Sequence, residues 1–367
     1  MNKILVKVIK VFSLVLFVLL VSMPFSCRLS DEGITLVSFE ETSPEMIDYS
    51  VCSDEKLSVT FSKKISVVES LVFDENENLN HSVFVSADEK DNFWTVDFEL
   101  KNKLEIGKTY ELFGVVRDEN LNTLTFCIPF KGYNNRVPRL KITEIRPIYS
   151  ASDKTVTVNG EKIKTKVYKS EFIELKSLSD GNLCGVEIVS GNDGEDRKIT
   201  LPALEVKKDE IIIVHLRTHA EEKGAVSELE SDFTLSTGYY SSDFARDIWI
   251  ENEKKILGTD QDVVVLRDSQ TQTLLDAVLY SNSKKAFTDW KTTFMKDLLN
   301  QILSQKLWES DSESGELSVS SAFDSIGLTA TKSILRIGVK NCSESFQISK
   351  SNGETPGNVL EEAIDFF

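Results

Sequence analysis

Three observations predict an all-β fold of two β-sandwich domains, with a helical insertion in the second and an N-terminal signal segment. Apolar and polar residues alternate over short runs, as in Leu57-Ser-Val-Thr-Phe61 and Phe93-Trp-Thr-Val-Asp-Phe98. This is the period of half-buried strands, whose successive side chains point to opposite faces. Clusters such as Asp74–Asn80 and Asp118–Asn122 separate the runs, and Asp and Asn suit turns because their side chains bond the local backbone and tolerate left-handed geometry. Apolar residues recur at helical steps of three and four in one long stretch, 287–307.

The chain opens with Lys3, Lys7 and Lys10 ahead of an apolar run from Val11 to Val21. A basic start and a short apolar core form the pattern of a bacterial secretory signal, and the run is shorter than the about 20 apolar residues a spanning helix needs. The residues that follow, Met23-Pro-Phe-Ser-Cys27, resemble a lipobox, in which a peptidase cuts just before a cysteine that carries diacylglycerol. Ser26 and Cys27 fit that pattern, while Pro24 and Phe25 stand where it prefers Leu and a small residue. The resemblance implies a signal peptide over 1–26, cleavage after Ser26 and lipid attachment at Cys27. It also implies a location at the cell membrane or outer membrane, facing the periplasm or the cell exterior. A soluble export product and an uncleaved anchor are the alternatives.

The full chain has 42 Lys+Arg against 59 Asp+Glu; without Lys3, Lys7 and Lys10 the count is 39 against 59, a net charge near −20. Such acidity repels phosphate backbones and disfavours a nucleic-acid partner. It equally disfavours adsorption to anionic lipid, so attachment to the membrane rests on the acyl chains. Beyond Cys27 the cysteines are Cys52, Cys127, Cys184 and Cys342. An even count in an oxidising compartment permits two disulfides. Each domain holds two cysteines, so Cys52 with Cys127 and Cys184 with Cys342 is the natural pairing; four buried free thiols is the other reading. None has the C-x-x-C spacing of a metal site.

The first domain spans 33–134. Its segments Leu57-Ser-Val-Thr-Phe-Ser-Lys-Lys-Ile65, Leu104-Glu-Ile-Gly-Lys-Thr-Tyr110 and Gly114-Val-Val-Arg-Asp-Glu-Asn120 resemble the strands and turns of bacterial Ig-like domains of the SbsA type, with Asn120-Leu-Asn122 replacing the usual Gly-Asn. The resemblance implies an Ig-like sandwich used as a spacer or adhesion module. The Asp74 turn is not an EF-hand loop: Leu79 stands at the sixth position, where Gly is needed, and Val85 at the twelfth, where Glu is needed.

The second domain spans 139–367. Leu140-Lys-Ile-Thr-Glu-Ile-Arg146, Glu171-Phe-Ile-Glu-Leu175, Leu183-Cys-Gly-Val-Glu-Ile-Val189, Leu275-Asp-Ala-Val-Leu-Tyr280, Ser333-Ile-Leu-Arg336 and Glu354-Thr-Pro-Gly-Asn358 follow the order of hallmark segments in the lamin-tail domain, which the module resembles along its length. The resemblance implies a second Ig-like sandwich and a protein- or nucleic-acid-binding role, between which the acidity favours protein.

Glu144, Glu171 and Glu174 are candidates for acid–base chemistry. Glu171 and Glu174, three residues apart, face opposite sides of a strand, which favours structural hydrogen bonding or solvent exposure. His215 and His219 have the spacing of two ligands on a helix, but Ile211-Ile-Ile-Val214 ahead of them reads as a strand, along which four residues span about 13 Å. His81 is the only other histidine. Ser281-Asn-Ser-Lys284 matches S-x-x-K without its companion motifs, and no phosphate or dinucleotide loop occurs. No catalytic residue, metal site or cofactor is expected.

Two insertions mark the second domain. Phe287, Trp290, Phe294, Leu298, Leu299, Ile302, Leu303 and Leu307 define the apolar stripe of a helix of about six turns, inside an insertion at 284–316 that closes with an acidic loop. The helix packs on its own sandwich or, through Phe287, Trp290 and Phe294, binds a partner. The 219–247 loop carries Tyr239, Tyr240 and Phe244, and exposed loop aromatics suit protein or glycan recognition. The expected function is non-catalytic binding or display by a lipid-anchored envelope protein, attached to the membrane through Cys27, with another envelope or extracellular protein as its partner. The competing class is a divergent secreted hydrolase or nuclease, or an accessory subunit of one. That class requires carboxylates or histidines to converge in a cleft.

Overall fold

The computed structural model describes residues 42–358 apart from 77–78, 91–92, 159–160, 193, 195–196 and 310–315. Ser26, Cys27 and the signal segment lie outside the described residues. All elements below belong to the unit Ser43–Phe367.

The first domain consists of β1 (Met46–Ser53), β2 (Lys56–Phe61), β3 (Ser66–Asp74), β4 (Leu79–Lys90), β5 (Phe93–Leu100), β6 (Thr109–Arg117) and β7 (Thr123–Lys131). They pair in the order β1-β2-β5-β4-β3-β6-β7. β4 changes layers: its residues 79–81 pair with β3 and 82–90 with β5, so a continuous ladder becomes two facing layers. Alternation sorts the side chains. Leu57, Val59 and Phe61 of β2 and Phe126, Ile128 and Phe130 of β7 are buried, and the residues between them are more exposed. Each such side chain contributes about 1.5–3 kcal/mol on burial. Gly114 is demanded by this core, because a Cβ there would lie 2.3 Å from the Phe126 ring, which packs on Phe61 with centroids 5.6 Å apart. The Asp118 turn forms as its composition predicts: its carboxylate accepts from the backbone N–H of Asn120 and Asn122, each at 2.9 Å, around Leu121 at φ 68°.

The second domain runs through β8 (Leu140–Arg146), β9 (Ser150–Val158), β10 (Glu161–Lys169), β11 (Phe172–Ser177), β12 (Gly181–Asn182), β13 (Val186–Ser190), β14 (Ile199–Thr200), β15 (Glu205–Val206), β16 (Ile211–His215), β17 (Arg246–Trp249), β18 (Gln261–Asp268) and β19 (Leu274–Ser281). Then come α1 (Thr293–Ser304), β20 (Phe323–Asp324), β21 (Ile334–Arg336) and β22 (Phe346–Ile348). A six-stranded sheet in the order β17-β16-β11-β8-β21-β22 faces a five-stranded sheet in the order β14-β13-β18-β19-β20. Ile145, Ile173, Leu175, Val189, Val264 and Val278 from the two sheets share one core. β9 and β10 form a separate antiparallel hairpin.

The insertion helix is shorter than its apolar spacing predicts, with 12 residues in α1. Thr292 caps it, its hydroxyl accepting from Met295 N–H at 3.0 Å, and Lys306 turns out of it at φ 53°. Phe287, Trp290 and Leu307 therefore belong to flanking loops. The helix packs on its own sandwich, burying Met295, Leu298, Leu299 and Ile302 in the main core. Trp290, expected as a partner contact, is buried too, and its Nε1 donates to the Leu317 carbonyl at 2.9 Å. Phe287 and Phe294 are half-buried.

The expected disulfides are not formed: Cys52, Cys127, Cys184 and Cys342 are free thiols. A disulfide needs its Cβ atoms about 3.5–4.5 Å apart, and each cysteine has a different neighbourhood. Cys52 and Cys127 are exposed positions of strands in opposite layers, with Sγ near Ser58 Oγ (3.2 Å) and Glu111 Oε2 (3.8 Å) respectively. Cys184 is buried against Gly107 of the first domain, where an added Cβ would meet its Sγ at 2.9 Å. Cys342 Sγ lies 3.2 Å from Ser345 Oγ.

The domains are stitched at Asn134. Its Nδ2 donates to the carbonyls of Asn182 and Cys184, both at 2.8 Å, and its N–H donates to Gln270 Oε1 at 3.0 Å.

Candidate functional site

In the six-stranded sheet, Ile145, Ile173, Leu175, Ile212 and Val214 face the core. The alternate positions Glu144, Arg146, Phe172, Glu174 and His215 face the other side, which is covered by the C-terminal segment and the 219–247 loop. Glu144 and Glu174 are cross-strand partners, each 1% exposed. The Thr355-Pro-Gly357 segment closes over them: the Thr355 hydroxyl donates to Glu144 Oε2 at 3.1 Å and the Gly357 N–H to Glu174 Oε2 at 2.7 Å. Thr143 Oγ1 donates to Glu174 Oε1 at 2.6 Å. Burial, and next the adjacent Glu174 charge, raises the Glu144 pKa well above the usual carboxylate range, and burial raises that of Glu174.

Glu171 serves a different segment. It accepts from the N–H groups of Ile256 and Leu257 at 2.7 and 3.1 Å, and burial pushes its carboxyl up to about 7. His215 Nε2 meets Asp247 Oδ1 at 2.6 Å, both side chains fully buried; hydrogen bonding to a carboxylate places the ring proton on Nε2. Desolvation holds this histidine below its ordinary pKa, so it is neutral at neutral pH. Glu144, Glu171 and His215 thus do not meet in a cleft. Structural hydrogen bonding is what these glutamates do, and none of the three is exposed.

The same buried set positions an open loop. The His215 ring lies 3.6 Å from the Trp249 ring at an interplanar angle of 4°. Against Trp249 the chain passes at Gly238, where a Cβ would lie 2.3 Å from the indole. Trp249 Nε1 donates to Ser236 Oγ at 2.8 Å, and the buried Glu228 carboxylate accepts from the N–H groups of Ser236 (3.0 Å) and Asp247 (2.8 Å). At the loop base Gly224 sits at φ +80°, and a Cβ there would strike Thr237 Oγ1 at 2.2 Å. The loop is therefore set down on an aromatic platform, and its next residue, Tyr239, emerges 41% exposed. Lys169 Nζ lies 4.8 Å over the Tyr239 ring. Tyr240 turns inward: Arg146 lies 4.8 Å over its ring, and its hydroxyl donates to Glu354 Oε1 at 2.8 Å.

Between this loop and β10 lies a pocket of about 510 Å³ lined by Tyr168, Glu221, Glu222, Lys166, Thr237 and Tyr239 among others. The His219 ring stacks on Tyr168 at 4.5 Å and tilts against Tyr149 at 5.3 Å, and the Arg217 guanidinium lies 4.1 Å over Tyr149. The Tyr168 hydroxyl donates to Glu221 Oε2 at 3.1 Å. His219 Nε2 is a buried atom with no hydrogen-bond partner among the described residues; the Ser170 hydroxyl lies beside the Glu222 carboxyl and favours its charged form. Burial pushes the Glu222 carboxyl up to about 7. With two aromatic rings, carboxylates, ammonium groups and a hydroxyl, the pocket can bind a polar ligand. Among the described residues that line it, no nucleophile is paired with a base.

A family model described as TP_1001_2nd, protein second domain, matches residues 138–352. The chain belongs to this family. The TP_1001_2nd match covers most of the second domain, including Glu144, Glu171, Glu174 and the pocket residues, and stops short of the Thr355–Gly357 segment. A protein of Treponema pallidum (strain Nichols) described as uncharacterized is 29% identical over 255 residues, which are 68% of this chain and 59% of that relative. Among solved structures, a DUF4876 family protein from Bacteroides thetaiotaomicron aligns over 79% of this chain and 90% of its own, with 10% identity and a TM-score of 0.27. The N-terminal part of the bacterial S-layer protein SbsC aligns over 37% and 41%, with 16% identity and a TM-score of 0.24. Both scores are too low to imply a shared fold.

Of the residues singled out in the sequence, the structure brings Tyr239 to an open pocket and leaves Phe244 80% exposed on the same loop. Trp290 is enclosed and Tyr240 half-buried. The pocket residues Tyr168, Glu221 and Glu222, and the ring stack behind them, were not legible as a set, because they come from a hairpin and a loop more than 50 residues apart. The available signal was Asn159-Gly160, a strong hairpin turn pair, followed by Lys162, Lys164, Lys166 and Tyr168 on one face of β10.

Proposed function

We propose that this is a lipid-anchored protein of the cell envelope with a non-catalytic binding role. Diacylglycerol on Cys27 tethers the chain, an SbsA-like Ig module serves as spacer, and a lamin-tail-like module presents the binding face formed by β10 and the 219–247 loop. One observation carries the binding part of this reading: Glu144, Glu171, Glu174 and His215 are closed off in structural hydrogen bonds, while Tyr239 and its pocket lie open. Catalytic acids and bases must reach a substrate proton, and these do not.

Photo-crosslinking from position 239 in intact cells, followed by recovery of the adducts, tests the reading. A defined envelope component should be captured from wild-type protein, and lost when Phe244→Ala and Lys169→Ala are introduced. No adduct, or the same adducts from both proteins, would overturn it.

A further inference from the structure

We infer that the face formed by β10 and the 219–247 loop binds a second copy of this chain in a two-fold dimer, the hairpin of each copy lying on the loop of the other. This rests on the binding reading above and names the partner. The β9–β10 hairpin is a basic arm on an acidic protein. Residues 150–169 hold five lysines against Asp153 and Glu161, a net +3, in a chain of net charge −17. The two strands pair with each other and with no other strand among the described residues. Lys162, Lys164 and Lys166 alternate along β10 and are all exposed, so they share one face at a spacing of about 7 Å.

The loop beside the hairpin has the opposite character. Residues 219–247 hold seven acids against Lys223 and Arg246, a net −5. Of these acids Glu221, Glu230, Asp232 and Asp243 are exposed, interleaved along the loop with the exposed apolar residues Val226, Leu229, Leu235 and Phe244. The two patches adjoin, since residues 165–168 and 221–223 line the same pocket. Among the described residues, none of Lys162, Lys164, Glu230, Asp232 and Asp243 is held in an ion pair by its own chain. An anionic membrane reaching the lysines would meet the acidic loop next to them, and a basic partner reaching the loop would meet the hairpin. A partner with both signs side by side in the reverse arrangement satisfies both patches, and a second copy turned about a two-fold axis presents that arrangement, because residue i then meets j while j meets i. The exposed apolar side chains fill the centre of such a contact and the charges its rim. Repulsion between two acidic chains is screened beyond about 8 Å at physiological salt, so the local charges set the register.

The test is analytical sedimentation of the full chain in a density-matched detergent. Wild-type protein should associate reversibly to a dimer. One triple variant carries Lys162→Glu, Lys164→Glu and Lys166→Glu, the other Glu230→Lys, Asp232→Lys and Asp243→Lys; each alone should weaken the dimer by about ten-fold or more, because like charges then oppose. An equimolar mixture of the two should dimerise again, since each variant meets its opposite at both contacts, which misfolded chains would not do. All six side chains are exposed, so reversing them leaves the core intact. A wild-type monomer at every concentration, a dimer indifferent to either reversal, or a mixture that stays monomeric overturns the inference. If wild-type protein is monomeric while crosslinking from position 239 captures a different protein, the dimer fails and the binding reading stands.

Discussion

Trp249 links the hidden chemistry of the second domain to its open surface. One face of its indole rests on His215, which Asp247 orients and burial holds below its ordinary pKa, and Gly238 brings the loop against it. Truncation to Trp249→Ala should cost about 3–5 kcal/mol, as for other large buried aromatics, measured by denaturant unfolding, and should also disorder Tyr239. The buried glutamates make a separate prediction. Their folded-state pKa values are raised, so the native protein holds protons that the unfolded chain has released. Their contribution to stability is therefore fully present below the ordinary glutamate pKa and is lost as pH rises toward and through about 7, the value to which burial pushes Glu171. Glu174→Gln should flatten that decline in unfolding experiments across this range; an unchanged slope would mean the pair does not carry it. Glu144, Glu171 and Glu174 stand out in the sequence, and of the two readings given them, structural hydrogen bonding or solvent exposure, the structure shows the first. That Glu144 and Glu174 sit side by side was not legible, because cross-strand register with a bulge between Glu174 and Leu175 leaves no local sequence mark.

Among the elements, strands with clean alternation such as β2 and β5 were readable, since one face buries and the other does not. The two-residue ladders β12, β14, β15 and β20 are too short to show any period and depend on their partners. The helix was found but overextended: apolar spacing continues through loops on both sides of α1, and only the Thr292 cap and the left-handed Lys306 end it. Thr292→Ala should cost about 1 kcal/mol of stability through loss of the Met295 N–H acceptor, read as a shift in the denaturant midpoint at constant slope. The loop has its own weak point. Gly238→Ala puts a Cβ into the Trp249 ring, and such overpacking should cost about 1–3 kcal/mol while raising protease sensitivity between 224 and 245; an unaffected loop would contradict the platform argument.

For the whole molecule, the all-β class was legible in the alternating runs, whereas the hydrogen bonds at Asn134 left no mark in the sequence. Asn134 is a single polar residue whose three hydrogen bonds fix the exit of the first domain to the second. If the first domain is a spacer, that junction sets the direction in which the second is held, and Asn134→Ala should broaden the particle-dimension distribution in small-angle scattering without unfolding either sandwich. In the proposed function, diacylglycerol on Cys27 would tether the binding module to the envelope. Metabolic labelling with an alkyne fatty acid, followed by membrane fractionation, tests it most directly. Wild-type protein should be labelled and sediment with membranes, and Cys27→Ser should be unlabelled and released. Labelling that persists in Cys27→Ser, or wild-type protein that is never labelled, would contradict the central claim.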